Sequence, residues 1–355
     1  MSKLIIDPGK FRQFGNPDGA AFCLGTSPSV INYVELAKDA AYRDYQIVLL
    51  DDDFPAMLRD RIPRWAHVLV ISTDTFFQSP EDRLIGAERK LLAMACNSTP
   101  TDISALRHFL RCVEETDPAA QEEFSNRFFE LAEMGETLEY HDAEFGTTAV
   151  LQLFVQDLIW NQQAGWVDWG EQQIVPSGEI SVLPIEITEF DAALSLPLNG
   201  EIVIRGYPIL HSGTPSFILR DQKRIYDRLS RLRDNPIKAT VETGVITHLE
   251  ALSGGARDIV DMMESMFAVD SRYRTVWEIG HALNTTHEIL LGNHAMNEVY
   301  GGTDGCLHWG LGLTPYTQFH LDIISPGTYV TNDQGDTLLG ISGQRAPERV
   351  CSRAA

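Results

Sequence analysis

Short continuous apolar runs, separated by stretches with helical spacing, fill the first part of the chain. Ala21-Phe22-Cys23-Leu24, then Gln46 to Leu50, then His67 to Ser72 with Val68, Leu69, Val70 and Ile71 in a row, read as strands buried on both faces of a parallel sheet. Between and after them the apolar spacing predicts helices over 30–42, 79–95, 102–113 and 118–134. Strand and helix in alternation imply an open α/β sheet.

The pattern changes near Glu144. Strands are expected at Ile180–Ile187, Glu201–Ile204, Phe217–Arg220, Lys238–Glu242 and Val245–Glu250, with turns at Leu198-Asn199-Gly200 and Glu242-Thr243-Gly244. One helix is expected from Ala256 to Phe267, where Ile259, Met262, Met263, Met266 and Phe267 form a packing stripe. The predicted fold class is therefore α/β plus α+β. Residues 1–145 form an N-terminal open α/β sheet domain, and residues 146–355 form a strand-rich C-terminal domain.

With 44% hydrophobic residues the chain has enough apolar material for real cores. Its formal net charge of −22 argues against nucleic acid or anionic lipid as a partner, because both would be repelled. The five cysteines, at 23, 96, 112, 306 and 351, show no Cys-x-x-Cys spacing and read as free thiols. Met1-Ser2-Lys3 is followed only by a short apolar run, so no secretory leader is expected. No run approaches the roughly 20 residues needed to cross a bilayer. Together these features make the cytoplasm the expected compartment.

The candidate chemistry is concentrated towards the C-terminus. His320-Leu321-Asp322 is an i, i+2 pair that a strand would point to one face. His308 precedes Gly310 and Gly312, Glu278 precedes Gly280, and Glu179 follows Ser177-Gly178. Imidazoles and carboxylates in this mixture suit zinc, cobalt, manganese or iron(II). Cys306, near His308, reads as a small filler rather than a soft ligand. Gly25-Thr26-Ser27-Pro28-Ser29 lacks the lysine and glycine spacing of a phosphate cradle and reads as a plain turn. Asp51 to Asp53 reads as a solvated acidic turn.

In order, these segments resemble the aminopeptidase T and aminopeptidase S family, the thermophilic metalloproteases. Pro176-Ser177-Gly178-Glu179-Ile180 is similar to the family's Pro-x-Gly-Glu-Val, and Glu278-Ile279-Gly280 through Asn284 to its Glu-x-Gly-x-Gly-x-Asn. Gly301-Gly302-Thr303 followed by His308-Trp309-Gly310-Leu311-Gly312 is similar to its Gly-Gly-Thr-x-His-x-x-x-Gly, and His320-Leu321-Asp322 to its His-x-Asp. The resemblance implies that Glu179, Glu278, His308, His320 and Asp322 bind two divalent metal ions and that the protein is a homodimer. This chain departs from the family in the extra Gly305-Cys306-Leu307, in a shorter stretch from Gly312 to His320, and in His281 where a small residue is usual. Tyr316 is the candidate for the tyrosine that the family carries beside its metals. The run His320 to Ile323 and the tail around Ala346-Pro347-Glu348 also resemble 2,5-dihydroxypyridine dioxygenase, an iron(II) ring-cleaving enzyme. That relative has a histidine at the position of Glu278 and lacks the carboxylate of Glu179.

The resemblance implies a metal-dependent aminopeptidase or related amide hydrolase acting on a peptide or small molecule. Two ions about 3.5–4 Å apart would activate water and polarise the scissile carbonyl. Glu179 would serve as general base, with His281 or Tyr316 stabilising the oxyanion. The alternatives are a mononuclear iron(II) dioxygenase, with His308, His320 and Asp322 as a facial triad, and a repurposed family member that binds a peptide without cleaving it.

Overall fold

The computed structural model describes residues 3–50, 53–73, 80–95, 101–186, 189–214, 218–292 and 294–351. The chain divides into two compact units. The first comprises Met1–Glu122, Gln163–Ser177 and His294–Met296; the second comprises Glu123–Gln162, Gly178–Asn293 and Asn297–Ala355.

The first unit holds a five-stranded parallel sheet. Its order is Gln172–Ile174, Arg89–Ala95, Ala66–Ser72, Ala21–Thr26 and Asp44–Leu49. The three apolar runs read from the sequence are three of these strands. Ala21, Cys23, Val68, Val70, Leu91 and Ala93 pack with Phe54, Met57, Leu58 and Ile85 into one core. Burial pushes the Cys23 thiol up to about 12, so it stays protonated there. The acidic turn is described only at Asp53, whose side chain caps the helix Phe54–Asp60 by accepting from Ala56 N; Asp51, Asp52 and Cys96 lie outside the described residues.

Two expected helices are replaced here. Over 30–42 the chain makes a single 3-10 turn, Ile31–Tyr33, and then the strand Val34–Leu36, paired in parallel with Leu4–Ile6. Val30 keeps an αR backbone and Ile31 enters the 3-10 turn, but the β-branched Val34 is extended, and its pairing with the buried Leu4 decides the matter. Over 79–95 the helix covers only Asp82–Ile85, is stopped by Gly86 at φ 70, and gives way to the strand Arg89–Ala95. Leu91, Leu92 and Ala93 are all buried there, which two covered sheet faces require. The helices Ile103–Glu115 and Pro118–Glu133 match expectation.

The second unit contains two sheets. A seven-stranded sheet runs in the order Val245–Ala251, Ile237–Glu242, Leu198–Ile204, Thr147–Gln152, Thr137–Asp142, Thr328–Asn332 and Thr337–Leu339. A six-stranded sheet runs in the order Tyr207–Ser212, Phe319–Pro326, Cys306–Leu311, Val276–Ala282, Glu179–Leu183 and Ile159–Gln163. The strand expected at 217–220 is instead the start of the helix Leu219–Leu229, which buries Gln222, Ile225 and Leu229; Phe217 lies outside the described residues. The turn expected at 198–200 lies inside a strand, where Gly200 lets the backbone of Thr148 come close. The helix Arg257–Val269 buries Ile259, Met263 and Phe267, with Met262 and Met266 at the margin.

Alternation along the six-stranded sheet sorts its residues. Trp277, Ile279 and His281, then Leu307, Trp309 and Leu311, then Leu321 and Ile323 take one face, and all are buried. Trp309 meets Tyr140 of the seven-stranded sheet edge-on at 5.8 Å. The alternate positions of the same strands take the other face, where the candidate ligands stand. Gly206 reverses the chain into the Tyr207–Ser212 strand at φ 96, and a Cβ there would come within 2.2 Å of the Ile324 carbonyl oxygen. Gly206→Ala is expected to destabilise the protein by more than about 1 kcal/mol, read as a lower denaturation midpoint; an unchanged midpoint would contradict the tight approach.

Candidate metal centre

Four neighbouring strands of the six-stranded sheet each bring a ligand-type side chain to its polar face. Glu179 pairs with Ala282, so it shares the face of Gly280 and Glu278. Gly280 pairs with His308, and Gly310 pairs with both Glu278 and Asp322. His320 stands two residues before Asp322 on the same strand and therefore on the same face. Antiparallel register thus assembles all five expected residues, although more than a hundred positions separate the first from the last.

The glycines opposite the ligands explain their places. A Cβ on Gly280 would lie 2.0 Å from His308 Cε1, inside the imidazole ring's own space. A Cβ on Gly310 would lie 2.7 Å from Glu278 Cβ and 3.2 Å from Asp322 Oδ1. These two positions are bare so that their cross-strand partners can lean over them.

The resulting contacts are close. His308 Nε2 lies 3.6 Å from Glu179 Oε1 and 3.6 Å from Asp322 Oδ1. His320 Nε2 lies 3.3 Å from Glu278 Oε2 and 3.1 Å from Asp322 Oδ1. The ring of His320 is fixed by its other nitrogen, which donates to the Gly312 carbonyl at 2.9 Å and leaves Nε2 to face the carboxylates. Two groups of possible metal ligands overlap here: Glu179, Glu278 and His308, and Glu278, His320 and Asp322. Glu278 belongs to both.

A third group, His211, Glu298 and Asp322, adjoins them. His211 pairs with His320 across the sheet, and its Nε2 lies 2.5 Å from Glu298 Oε1 and 3.1 Å from Asp322 Oδ2. Sequence reading missed both residues. His211 ends an apolar strand and precedes Ser212-Gly213, a glycine-following pattern like that of His308 and Glu278, and this was the signal available. Glu298, in the short 3-10 helix Ala295–Val299, carries no such mark.

Burial opposes every charge on this face, and proximity decides each outcome. Burial would raise Asp322, but the imidazoles of His320 and His308 outweigh it and hold the carboxyl well below its usual range. Glu278 is likewise lowered despite burial, through its contact with His320. His320 is lifted well above its ordinary value because Asp322 and Glu278 outweigh burial, and His211 reaches about 10 through Glu298 and Asp322. Glu179 goes the other way: burial and then the nearby carboxylates Glu278, Glu298 and Asp322 push it well above the usual carboxyl range.

His281, expected as an oxyanion donor, is turned to the opposite face of the sheet. Its Nδ1 bonds the Ile180 carbonyl at 2.8 Å, its Nε2 meets the Tyr140 hydroxyl at 3.1 Å, and burial lowers it to about 4. Adjacent strand residues point to opposite faces, so His281 cannot share the face of Gly280. Tyr316 packs its ring against Phe190 at 5.3 Å, and its hydroxyl accepts from Phe190 N at 3.3 Å. Cys306 is a buried thiol, kept protonated chiefly by burial, as a filler should be.

Gly280→Ala is expected to displace the His308 ring and destabilise the protein by about 1–3 kcal/mol, the cost of overpacking. It should also weaken metal binding more than a Gly254→Ala control, where nothing lies within 4 Å of a Cβ. Equal metal content in the two variants would contradict the packing of His308 over Gly280.

No family model and no curated protein matches the chain. Among solved structures, 2,5-dihydroxypyridine dioxygenase from Pseudomonas putida KT2440 is similar in fold, with 15% identity and a TM-score of 0.51, over 96% of this chain and 94% of that one. Wild-type AmpT from Thermus thermophilus also matches, with 12% identity and a TM-score of 0.47, over 95% of this chain and 97% of that one. Among the described residues no helix is long and apolar enough to cross a membrane. The likeness to the dioxygenase is one of fold alone and spans nearly the whole length of both chains.

Proposed function

We propose that the chain is a metal-dependent amide hydrolase of the aminopeptidase kind, with a two-cation centre on Glu179, Glu278, His308, His320 and Asp322. The observation that carries this reading is the sharing of Glu278 between two ligand groups, since one carboxylate can offer an oxygen to each of two neighbouring ions. The donor chemistry agrees. Asp322 Oδ1 is buried without a hydrogen-bond partner, although it faces His320 Nε2 at 3.1 Å. A cation between such atoms satisfies both. Three carboxylates and two imidazoles, without a thiol, suit zinc, cobalt or manganese.

Two divalent ions held there would supply Lewis acidity and an acidified water. The chain's own groups supply proton handling. Without ions, burial and the neighbouring carboxylates raise the Glu179 carboxyl, and 13% of its side chain is accessible. It is suited to take a proton from water and return it to the departing amine. A peptide or other small amide is the proposed substrate and a homodimer the proposed form; both rest on the family resemblance. The reading gives His281 no catalytic role.

A second reading draws on one further observation. His308, His320 and Asp322 alone could hold a single iron(II), with both Nε2 atoms within 3.6 Å of Asp322 Oδ1, on a fold like that of a dioxygenase.

Elemental analysis of protein purified without chelator separates the readings. Two zinc, cobalt or manganese ions per chain, with cleavage of aminoacyl-nitroanilides, are expected. One iron per chain with oxygen uptake on a hydroxylated pyridine would replace the first reading by the second, and absence of metal would overturn both. His320→Ala and Asp322→Ala are each expected to abolish activity while the circular dichroism spectrum is kept; retained activity would remove these residues from the site. Cation affinity should rise with pH. His320 and Glu179 both have raised pKa values, so each carries a proton to higher pH, and that proton must leave before a cation binds. A titration showing pH-independent affinity would contradict this.

A further inference from the structure

Asp322 is held from outside the five-residue set, by His211 and Glu298. Its Oδ2 lies 3.1 Å from His211 Nε2, and that same nitrogen lies 2.5 Å from Glu298 Oε1. Its Oδ1 is buried, has no hydrogen-bond partner, and faces His320 Nε2 and His308 Nε2 at 3.1 and 3.6 Å. The two oxygens of one carboxylate therefore have different surroundings. A 2.5 Å separation between His211 and Glu298 is a hydrogen bond. Two ligands about 2.0–2.2 Å from a shared tetrahedral ion would stand farther apart, so this group is a support rather than a third ion site.

The support is itself anchored. His211 is locked in register opposite His320. Glu298 follows Asn297, whose side chain accepts from Leu290 N and donates to Leu290 O, each at 2.8 Å. A buried amide that bonds both backbone groups of one residue fixes the turn from which Glu298 projects.

We propose that His211 and Glu298 are positioning residues for the metal centre: the pair ties down Asp322 Oδ2 and so presents Oδ1 to a cation. The inference rests on the two-cation reading. Without the tether the carboxylate would rotate and exchange its oxygens. With it, the ligand is oriented before the ion arrives, as partners behind metal ligands do elsewhere.

The test is a cobalt(II) titration of the full chain after chelator treatment, followed by visible absorption and by competition with a chelating indicator. Wild type is expected to take up two ions in two steps. His211→Gln and Glu298→Gln are each expected to weaken one step by about 10–100-fold and to change the other less, because His211 contacts Asp322 directly whereas Glu298 acts on Glu179 only through its charge. Both steps unchanged in a folded variant would overturn the proposal. Both steps weakened alike, together with a lowered melting temperature of the metal-free protein, would show a merely structural role and overturn it as well. If His211→Gln fails to fold by circular dichroism, Glu298→Gln decides alone. A wild type that binds no cobalt would instead fail the two-cation reading itself, and the inference with it.

Discussion

Mutual repulsion among buried carboxylates is the constraint around which the second unit is organised. Glu179, Glu278 and Asp322 stand on one sheet face, Glu298 reaches toward it from the short helix Ala295–Val299, and imidazoles lie among them. Such a gathering is unfavourable in a medium poorer than water at screening charge, unless positive charge is brought in. Protons on His320 and His211 meet the need in part, and bound cations would meet it more fully. The rest of the sheet is built to hold this arrangement. Its opposite face is largely apolar in the central strands, with His281 hydrogen-bonded among them, and Trp309 packs on Tyr140. The energy to bring the charged groups together comes from hydrophobic burial on the side where no charge sits.

Much of this was legible in the sequence because a strand's period of two is simple. His320 and Asp322 declared a shared face without further help, and the glycines beside Glu278 and His308 marked strands that other groups approach. The three apolar runs of the first unit were equally plain. What failed were segments whose apolar spacing fits more than one period. Val30 to Tyr42 and Ser79 to Ala95 both carry helix-like spacing, yet the β-branched Val34 in one and Gly86 in the other leave the outcome to tertiary pairing. At 217–220 the opposite happened, because a few apolar residues at the start of an amphipathic helix look like a strand until the next two turns are included.

The site shows a similar division. The five expected residues carried a local mark, a nearby glycine or an i, i+2 partner, before register assembled them, and His211 and Glu298 are marked mainly by where the fold puts them. His211 becomes significant only when it is placed opposite His320, and Glu298 only when its turn is folded back toward that pair. His281 shows the converse. One position along the strand sends a side chain to the apolar face, where its nitrogens are taken up by Ile180 and Tyr140. Proximity in sequence to Glu278 was misleading for a reason that the pleat makes unavoidable.

The order in which these strands arrive during synthesis has its own consequence. The Glu179 strand lies in its final sheet beside a strand made about a hundred residues later, and the strand bearing His320 and Asp322 comes later still. A nascent chain stopped before that last strand holds only part of the ligand set, with Gly310 lacking its Asp322 partner. The long loops between these strands must close before the cross-strand contacts repay the cost. An ion held by the proposed centre would therefore be a late arrival, because its ligands stand together only once the last of these strands has joined the sheet.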